Sequence, residues 1–165
     1  MAKIGPWLWR LPLNLMLRES KLHGIDVRVI AAVAMTESSG NPFVTRYEDH
    51  YRWLVDEERF AKQNGIQLEQ EIYFQKTSWG MLQIMGGVAR ELGYYGPLTR
   101  LAEPSAGLSW GSKKLSECLK KYGNLTDAIS AYNQGSPRKK DNGEYQNQVH
   151  VSRFLNYYNA LKSIK

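Results

Sequence analysis

The stretch VRVIAAVAMTESSGNP, residues 27–42, joins an apolar segment to an abrupt polar break. Residues 27–35 are apolar enough to form a central helix, and the glycine and proline that follow prevent its continuation. Glu37 lies at the end of this helix, where the helix dipole favours a cation over a carboxylate. An ordinary solvated helix end is the simplest interpretation, so the rest of the chain must decide whether Glu37 has a function.

Helical patterns continue on both sides of this stretch and predict a mainly α fold. The 165 residues suit one domain, strand alternation is nearly absent, and neither a repeat nor a linker divides the chain. We assign residues 1–165 to one domain, with a lead-in and first helix in residues 1–21 and a helical insert at residues 43–77. Besides 27–35, helices are expected at about residues 13–23, 50–63, 68–74, 86–92, 104–122, 126–132 with Asn124 as the N-cap, and 148–163.

Composition narrows the classes of function. A hydrophobic content of 42% and a charged content of 23% are typical of a soluble globular protein, and we expect no membrane span and no secretion signal. The net charge of +6 favours polyanionic partners, but a nucleic-acid-binding signature is missing, so we expect no nucleic acid partner. One cysteine (Cys118) and three scattered histidines (His23, His50, His150) give no metal-ligand spacing, so neither a metal nor a cofactor is expected.

Three glycine-marked stretches stand out: TESSGNP at residues 36–42, TSWGMLQIMGG at 77–87 and AYNQGSP at 131–137. Each joins a helix-like segment to a break and mixes polar with aromatic side chains, which is typical of residues that line a pocket. Each alone also has a structural explanation. Trp79, for example, is expected in the core more than against a ligand. Gln83 lies in an apolar stretch, where a buried amide would need partners for its donors and its acceptor.

Taken in order, the three stretches resemble the motifs of the soluble lytic transglycosylase family, whose catalytic domain has a lysozyme-like α fold with a substrate groove. The first motif is matched by Glu37-Ser38 and Asn41-Pro42. The second is matched by Ser78, Gly80 and Gln83, with the central Leu-Met pair of the family inverted to Met81-Leu82. The third is matched by residues 131–133 and Gly135. The resemblance covers roughly residues 22–160. Phage and prophage members look closest, because they share an Arg-Tyr-Glu stretch, here residues 46–48, and a longer insert.

This resemblance implies cleavage of the MurNAc-GlcNAc bond of peptidoglycan by one acid, Glu37. The N-acetyl group of the substrate would assist bond cleavage, and its 6-hydroxyl would then attack intramolecularly to give anhydromuramic acid, with Glu37 acting first as acid and then as base. The apolar residues that precede Glu37 are expected to raise its pKa, which this role requires. Side chains of the other motifs are expected to line the sugar groove, namely Ser78, Gln83, Tyr132 and Asn133.

Two further positions have alternative interpretations. Glu48 either contacts the substrate or forms a structural ion pair with a neighbouring arginine. The family usually places a tyrosine of the last helix beside the catalytic glutamate, whereas this chain has His150 there, unless a loop brings Tyr145 into that position. Four other acids are expected on solvated helix faces: Glu57, Glu58, Glu69 and Glu71.

The expected partners are peptidoglycan glycan strands and, for a phage component, other virion proteins. A phage virion, or a host cytoplasm from which the protein reaches the periplasm and cell wall, is compatible with these expectations. Two alternatives remain open: a goose-type lysozyme that hydrolyses the same bond, and a non-catalytic wall-binding structural protein of the virion. Anhydro ends distinguish the transglycosylase from the lysozyme, and loss of wall clearing with retained wall binding identifies the structural protein.

Overall fold

The computed structural model describes residues 11–162 and confirms a mainly helical protein. The helices are α1 (Leu13–His23), α2 (Val27–Ser38), α3 (Glu57–Asn64), α4 (Leu68–Gln75), α5 (Gly86–Glu91), α6 (Pro104–Tyr122), α7 (Leu125–Gln134) and α8 (Gln148–Lys162), with a 3-10 helix at Leu98–Ala102. Residues 1–10 of the predicted lead-in, and Ser163 of the last predicted helix, lie outside the described residues. Within the described part of the chain, every helix is too short or too polar to cross a membrane.

Helix α2 is the centre of the main core. Its residues from Val29 to Met35 are all buried, and they pack with apolar side chains of α1, α6, α7 and α8. The Asp26 side chain caps the helix by accepting a hydrogen bond from the Arg28 backbone N–H at 2.9 Å, so the start of the apolar segment is locally encoded. This packing fixes the end of α2, and with it Glu37, relative to α8.

A small antiparallel sheet lies beside these helices, with strands β1 (Thr45–Tyr47), β2 (Thr77–Trp79) and β3 (Ile84–Met85) in that order. Arg46 pairs with Ser78, and Ser78 pairs with Met85. Gly80 follows β2 with a φ of 73°, and a Cβ atom there would collide with the carbonyl oxygen of Leu101. The motif glycine is therefore required by both backbone conformation and space.

The predicted helix at residues 50–63 is wrong in its first half, because α3 begins only at Glu57. Asp56 has a left-handed φ of 42°, which a helix cannot include. The buried amide of Gln75 accepts from the Val55 N–H at 2.8 Å and donates to the Val55 carbonyl at 2.9 Å. This long-range pairing satisfies both backbone groups of Val55 and holds the preceding segment out of helix.

The prediction of a solvated face is wrong for Glu71, which is fully buried on α4. Its carboxylate forms a bidentate ion pair with Arg90 of α5, at 2.8 and 3.0 Å. Arg90 also donates to the carbonyls of Tyr94 and Gly96 and lies over the Phe60 ring. The burial of this pair is tolerated because every charged group in it has a partner.

Candidate functional site

Glu37 lies in the last turn of α2, and its side chain is only 6% exposed. The helix ends one residue later, at Ser38, because Ser39 and Gly40 adopt left-handed φ values of 55° and 75°. The Thr36 hydroxyl donates back to the carbonyl one turn earlier at 2.7 Å, and the Ser38 hydroxyl oxygen lies 3.1 Å from the carbonyl one turn before it. The Ser-Ser-Gly sequence thus terminates the helix while leaving the Glu37 carboxyl at its sheltered end.

Two side-chain hydrogen bonds join the three sequence motifs. The Ser38 hydroxyl, next to Glu37, donates to the carbonyl of Met81 at 2.9 Å. The Tyr132 hydroxyl donates to the neighbouring carbonyl of Leu82 at 2.7 Å. The turn between β2 and β3 is therefore held from one side by the first motif and from the other by the third.

Gln83 is buried and stabilises this turn from within. Its φ is 48°, which is unusual for a residue other than glycine. Its amide nitrogen donates to the carbonyls of Val44 and Gly80, at 2.8 and 2.9 Å, and its oxygen accepts from the Ser78 hydroxyl at 2.9 Å. Both amide hydrogens and the oxygen are thus used within the protein, as burial of an amide requires.

Burial dominates the electrostatics of Glu37 and raises its pKa to about 7. The charges of Lys114, Arg46 and Arg153 act in the opposite direction and limit this rise. Lys114 is held on α6 by a 2.6 Å hydrogen bond from Nζ to the Tyr132 carbonyl, with its ammonium 4.2 Å from the centre of the Tyr132 ring. A carboxyl with this pKa is divided between its acid and base forms near neutral pH.

His150 of α8 contacts Glu37, with 3.4 Å between Nε2 and Oε1. Burial, together with the charges of nearby cations, lowers the pKa of His150 to about 4. The imidazole is therefore neutral near pH 7, and the contact is not an ion pair there. Tyr145 lies elsewhere: its hydroxyl donates to the Asp127 carboxylate and lies 3.0 Å from the Thr126 hydroxyl, at the start of α7. Of the two candidates for the position beside Glu37, the structure places His150 there.

The other predicted residues lie in different surroundings. Ser78 is buried against Gln83, and its hydroxyl also lies 3.2 Å from the Arg46 carbonyl. Asn133 is exposed and accepts a hydrogen bond from Asn147 at 2.9 Å. Glu48 is 41% exposed and accepts from Arg46 at 2.6 Å, which is the ion pair that the sequence offered as an alternative. Trp79 is buried in a second apolar cluster, as expected.

Two residues whose charges act on Glu37, Lys114 and Arg153, were not predicted as site residues from the sequence. Arg153 could have been found, because it follows His150 by three residues on a predicted helix and such residues share a helix face. Lys114 has no comparable signal, since only tertiary packing brings α6 to the Tyr132 carbonyl. Within residues 11–162, no cluster of three or more His, Cys, Asp or Glu side chains is arranged to hold a metal ion.

The chain is similar to known proteins over most of its length. The sequence model of the family described as the transglycosylase SLT domain matches residues 14–154. A protein named "Transglycosylase" from Enterobacteria phage PRD1 is 27% identical over 117 residues, which are 71% of this chain and 32% of that protein. The chain therefore spans about a third of the length of the curated relative that it matches.

Proposed function

Because the chain belongs to the transglycosylase SLT domain family, we propose that it cleaves the MurNAc-GlcNAc bond of peptidoglycan with Glu37 as its one catalytic carboxyl. The observation that carries this proposal is the sheltered carboxyl of Glu37, with a pKa of about 7, at the point where the first motif meets the turn of the second. The groups whose charges act most on Glu37 are cations. This environment suits a single acid–base residue more than a pair of carboxylates.

In the proposed reaction Glu37 first gives up one proton and then takes one back. Protonated Glu37 donates its proton to the oxygen that leaves, while the N-acetyl group of the substrate stabilises the positive charge at the anomeric carbon. The Glu37 carboxylate then takes the proton of the 6-hydroxyl as that oxygen bonds to the same carbon. The product is anhydromuramic acid, no water is consumed, and Glu37 ends in its starting form. A hydroxyl of the same sugar reacts with the advantage of proximity.

His150 is proposed as the residue that orients the Glu37 carboxyl. A neutral imidazole can accept a hydrogen bond from the acid or donate one to the carboxylate, depending on its tautomer. Either bond would hold the carboxyl in one direction without adding a charge that would lower its pKa.

The sugar contacts remain proposals and differ in kind. Asn133 is exposed, so its amide can bind a sugar group directly, and the partly exposed Glu48 carboxylate can do the same. The polar atoms of Ser78, Gln83 and Tyr132 already bind within the protein. We expect those three to act by fixing the backbone that faces the glycan.

Since the chain matches only a third of its phage relative, its setting is also a proposal. We infer a phage-encoded enzyme that opens the wall, either in lysis or as part of a virion. Its positive charge of +6 would favour binding to an anionic wall.

Mass spectrometry of muropeptides released from purified peptidoglycan tests the reaction. The protein should release products with anhydro ends, and Glu37→Gln should release none, whereas the exposed control Glu58→Gln should behave as the unmodified protein. Reducing ends would identify hydrolysis and contradict the intramolecular step. Wall binding without any released product would contradict the enzymatic function itself.

A further inference from the structure

Three cations act electrostatically on the Glu37–His150 contact, and each comes from a different element. Arg46 belongs to β1, Lys114 to α6 and Arg153 to α8. All three act on the charge of both Glu37 and His150. The site therefore has a positive electrostatic environment, although its proposed catalytic groups are a carboxyl and a neutral imidazole.

Two of the three cations have partners inside the protein. Arg46 pairs with Glu48 at 2.6 Å. Lys114 donates to the Tyr132 carbonyl at 2.6 Å and lies over that ring. Arg153 differs: it is exposed, and it makes no ion pair with any carboxylate among residues 11–162.

The position of Arg153 follows from helix geometry. It lies three residues after His150 on α8, so the two side chains share one face, and His150 contacts Glu37 at 3.4 Å. Helix α8 contains no Asp or Glu that could neutralise the guanidinium. The Arg153 guanidinium is thus left without a carboxylate partner at the edge of the site. A guanidinium is planar and carries several N–H donors, so it is suited to bind a carboxylate.

Resting on the proposed function, we propose that Arg153 binds a carboxylate of the stem peptide carried by the muramyl sugar. An amidase that removes the peptides leaves one lactyl carboxylate on each muramyl sugar, whereas the stem peptides carry carboxylates farther from the sugar ring, and the exposed position of Arg153 suits the more distant group. Arg153 would therefore make the enzyme prefer peptide-bearing strands over bare glycan, while the reaction at the sugar stays the same.

The test compares two substrates: intact peptidoglycan, and glycan strands from which an amidase has removed the peptides. Arg153→Gln should lower kcat/KM on intact peptidoglycan by about tenfold, the loss that one charge-assisted hydrogen bond produces. It should change kcat/KM on bare strands by less than about twofold, because no hydrogen bond to a peptide is lost there. Arg153→Lys, which keeps the charge, should retain part of the preference. Lys120→Gln, which removes an exposed charge at the far end of α6, is the matched control and should leave both values unchanged.

The outcomes separate the two proposals. An equal loss on both substrates, a larger loss on bare strands (which would place Arg153 on the lactyl carboxylate), or no loss on intact peptidoglycan would overturn the role of Arg153 while the proposed function stands. The role of Arg153 would also be overturned if Arg153→Lys lost as much of the preference for intact peptidoglycan as Arg153→Gln. An unmodified protein that cleaves neither substrate would overturn the proposed function and this inference with it.

Discussion

At the scale of single residues, the proposed chemistry depends on a balance between burial and charge at Glu37. Burial raises the pKa of Glu37 to about 7, although three cations act to lower it. The apolar residues of α2 made this direction predictable from the sequence. The cations were not predictable, because β1, α6 and α8 are distant in the chain and meet only in the fold.

Glu37→Gln should change how stability depends on pH. The folded protein holds the Glu37 proton up to about pH 7, whereas the ordinary pKa of an exposed glutamate is 4.5. The contribution of Glu37 to the free energy of unfolding is therefore full below about pH 4.5 and is lost as pH rises towards 7. One pKa unit corresponds to about 1.4 kcal/mol, so the loss is on the order of 3 kcal/mol.

Urea unfolding at pH 5 and at pH 8 measures this effect. Relative to the unmodified protein, Glu37→Gln should gain stability at pH 8 and gain much less at pH 5. His150 has a pKa of about 4 in the folded protein, so it is neutral at both pH values and its own titration adds little to the difference. An equal difference at the two pH values would mean that the Glu37 pKa is not raised.

His150→Phe should lower kcat by more than about tenfold with little change in KM, because the lost interaction orients an acid and does not bind sugar. Removing a polar neighbour from a buried carboxyl should also raise the Glu37 pKa further. The basic limb of the kcat profile against pH would then move upward. His150→Tyr should recover part of the rate, because a phenol can again hydrogen-bond the carboxyl. A purely structural role would lower the rate and leave the profile in place.

At the scale of elements, local signals were sufficient where a helix is capped by its own residues. Asn124 was predicted as an N-cap, and its side chain accepts from the backbone of Thr126 at 2.9 Å. Residues 50–56 could not be predicted in this way, because the Val55 backbone pairs with Gln75, twenty residues further along. Gln83 shows a third case: the sequence indicated a buried amide in need of partners, but the partners became known only from the fold.

Gln83→Ala should destabilise the protein by about 2–3 kcal/mol, through loss of the internal hydrogen bonds of the amide. Gln83→Gly loses the same bonds but adopts the positive φ of this position without steric cost. It should therefore be about 1 kcal/mol less destabilised than Gln83→Ala. Chemical denaturation of the two variants measures the difference. A glycine variant that is less stable than the alanine variant would contradict the strain at this position.

At the scale of the whole molecule, the insert is joined to the rest of the domain by buried charge. Glu71 of α4 and Arg90 of α5 are both fully buried in their side chains, and Phe60 of α3 packs against the same guanidinium at 4.1 Å. Such a pair specifies one arrangement of three helices. The sequence alone could not reveal it, since Glu71 has the spacing of a surface residue.

Arg90→Met should destabilise the protein by about 3–5 kcal/mol, because it leaves the Glu71 carboxylate buried without its partner. Adding Glu71→Leu should restore much of this loss. The matched control is Arg100→Met, which removes an exposed pair with Glu103 and should have little effect.

If the domain is a single unit, circular dichroism and tryptophan fluorescence should report one unfolding midpoint. Two separate midpoints would contradict the assignment of residues 1–165 to one domain.

The turn that receives Ser38 and Tyr132 offers main-chain oxygens, which every amino acid possesses. Exchanging the side chains at positions 81 and 82 therefore leaves both attachments available, and the inverted Met81-Leu82 order is compatible with an unchanged site. The volume of the side chains is still restricted, because a methyl group on Gly111 would collide with Leu82. We therefore expect homologues to accept either order of these two residues, provided that the side chains fill the same interior space.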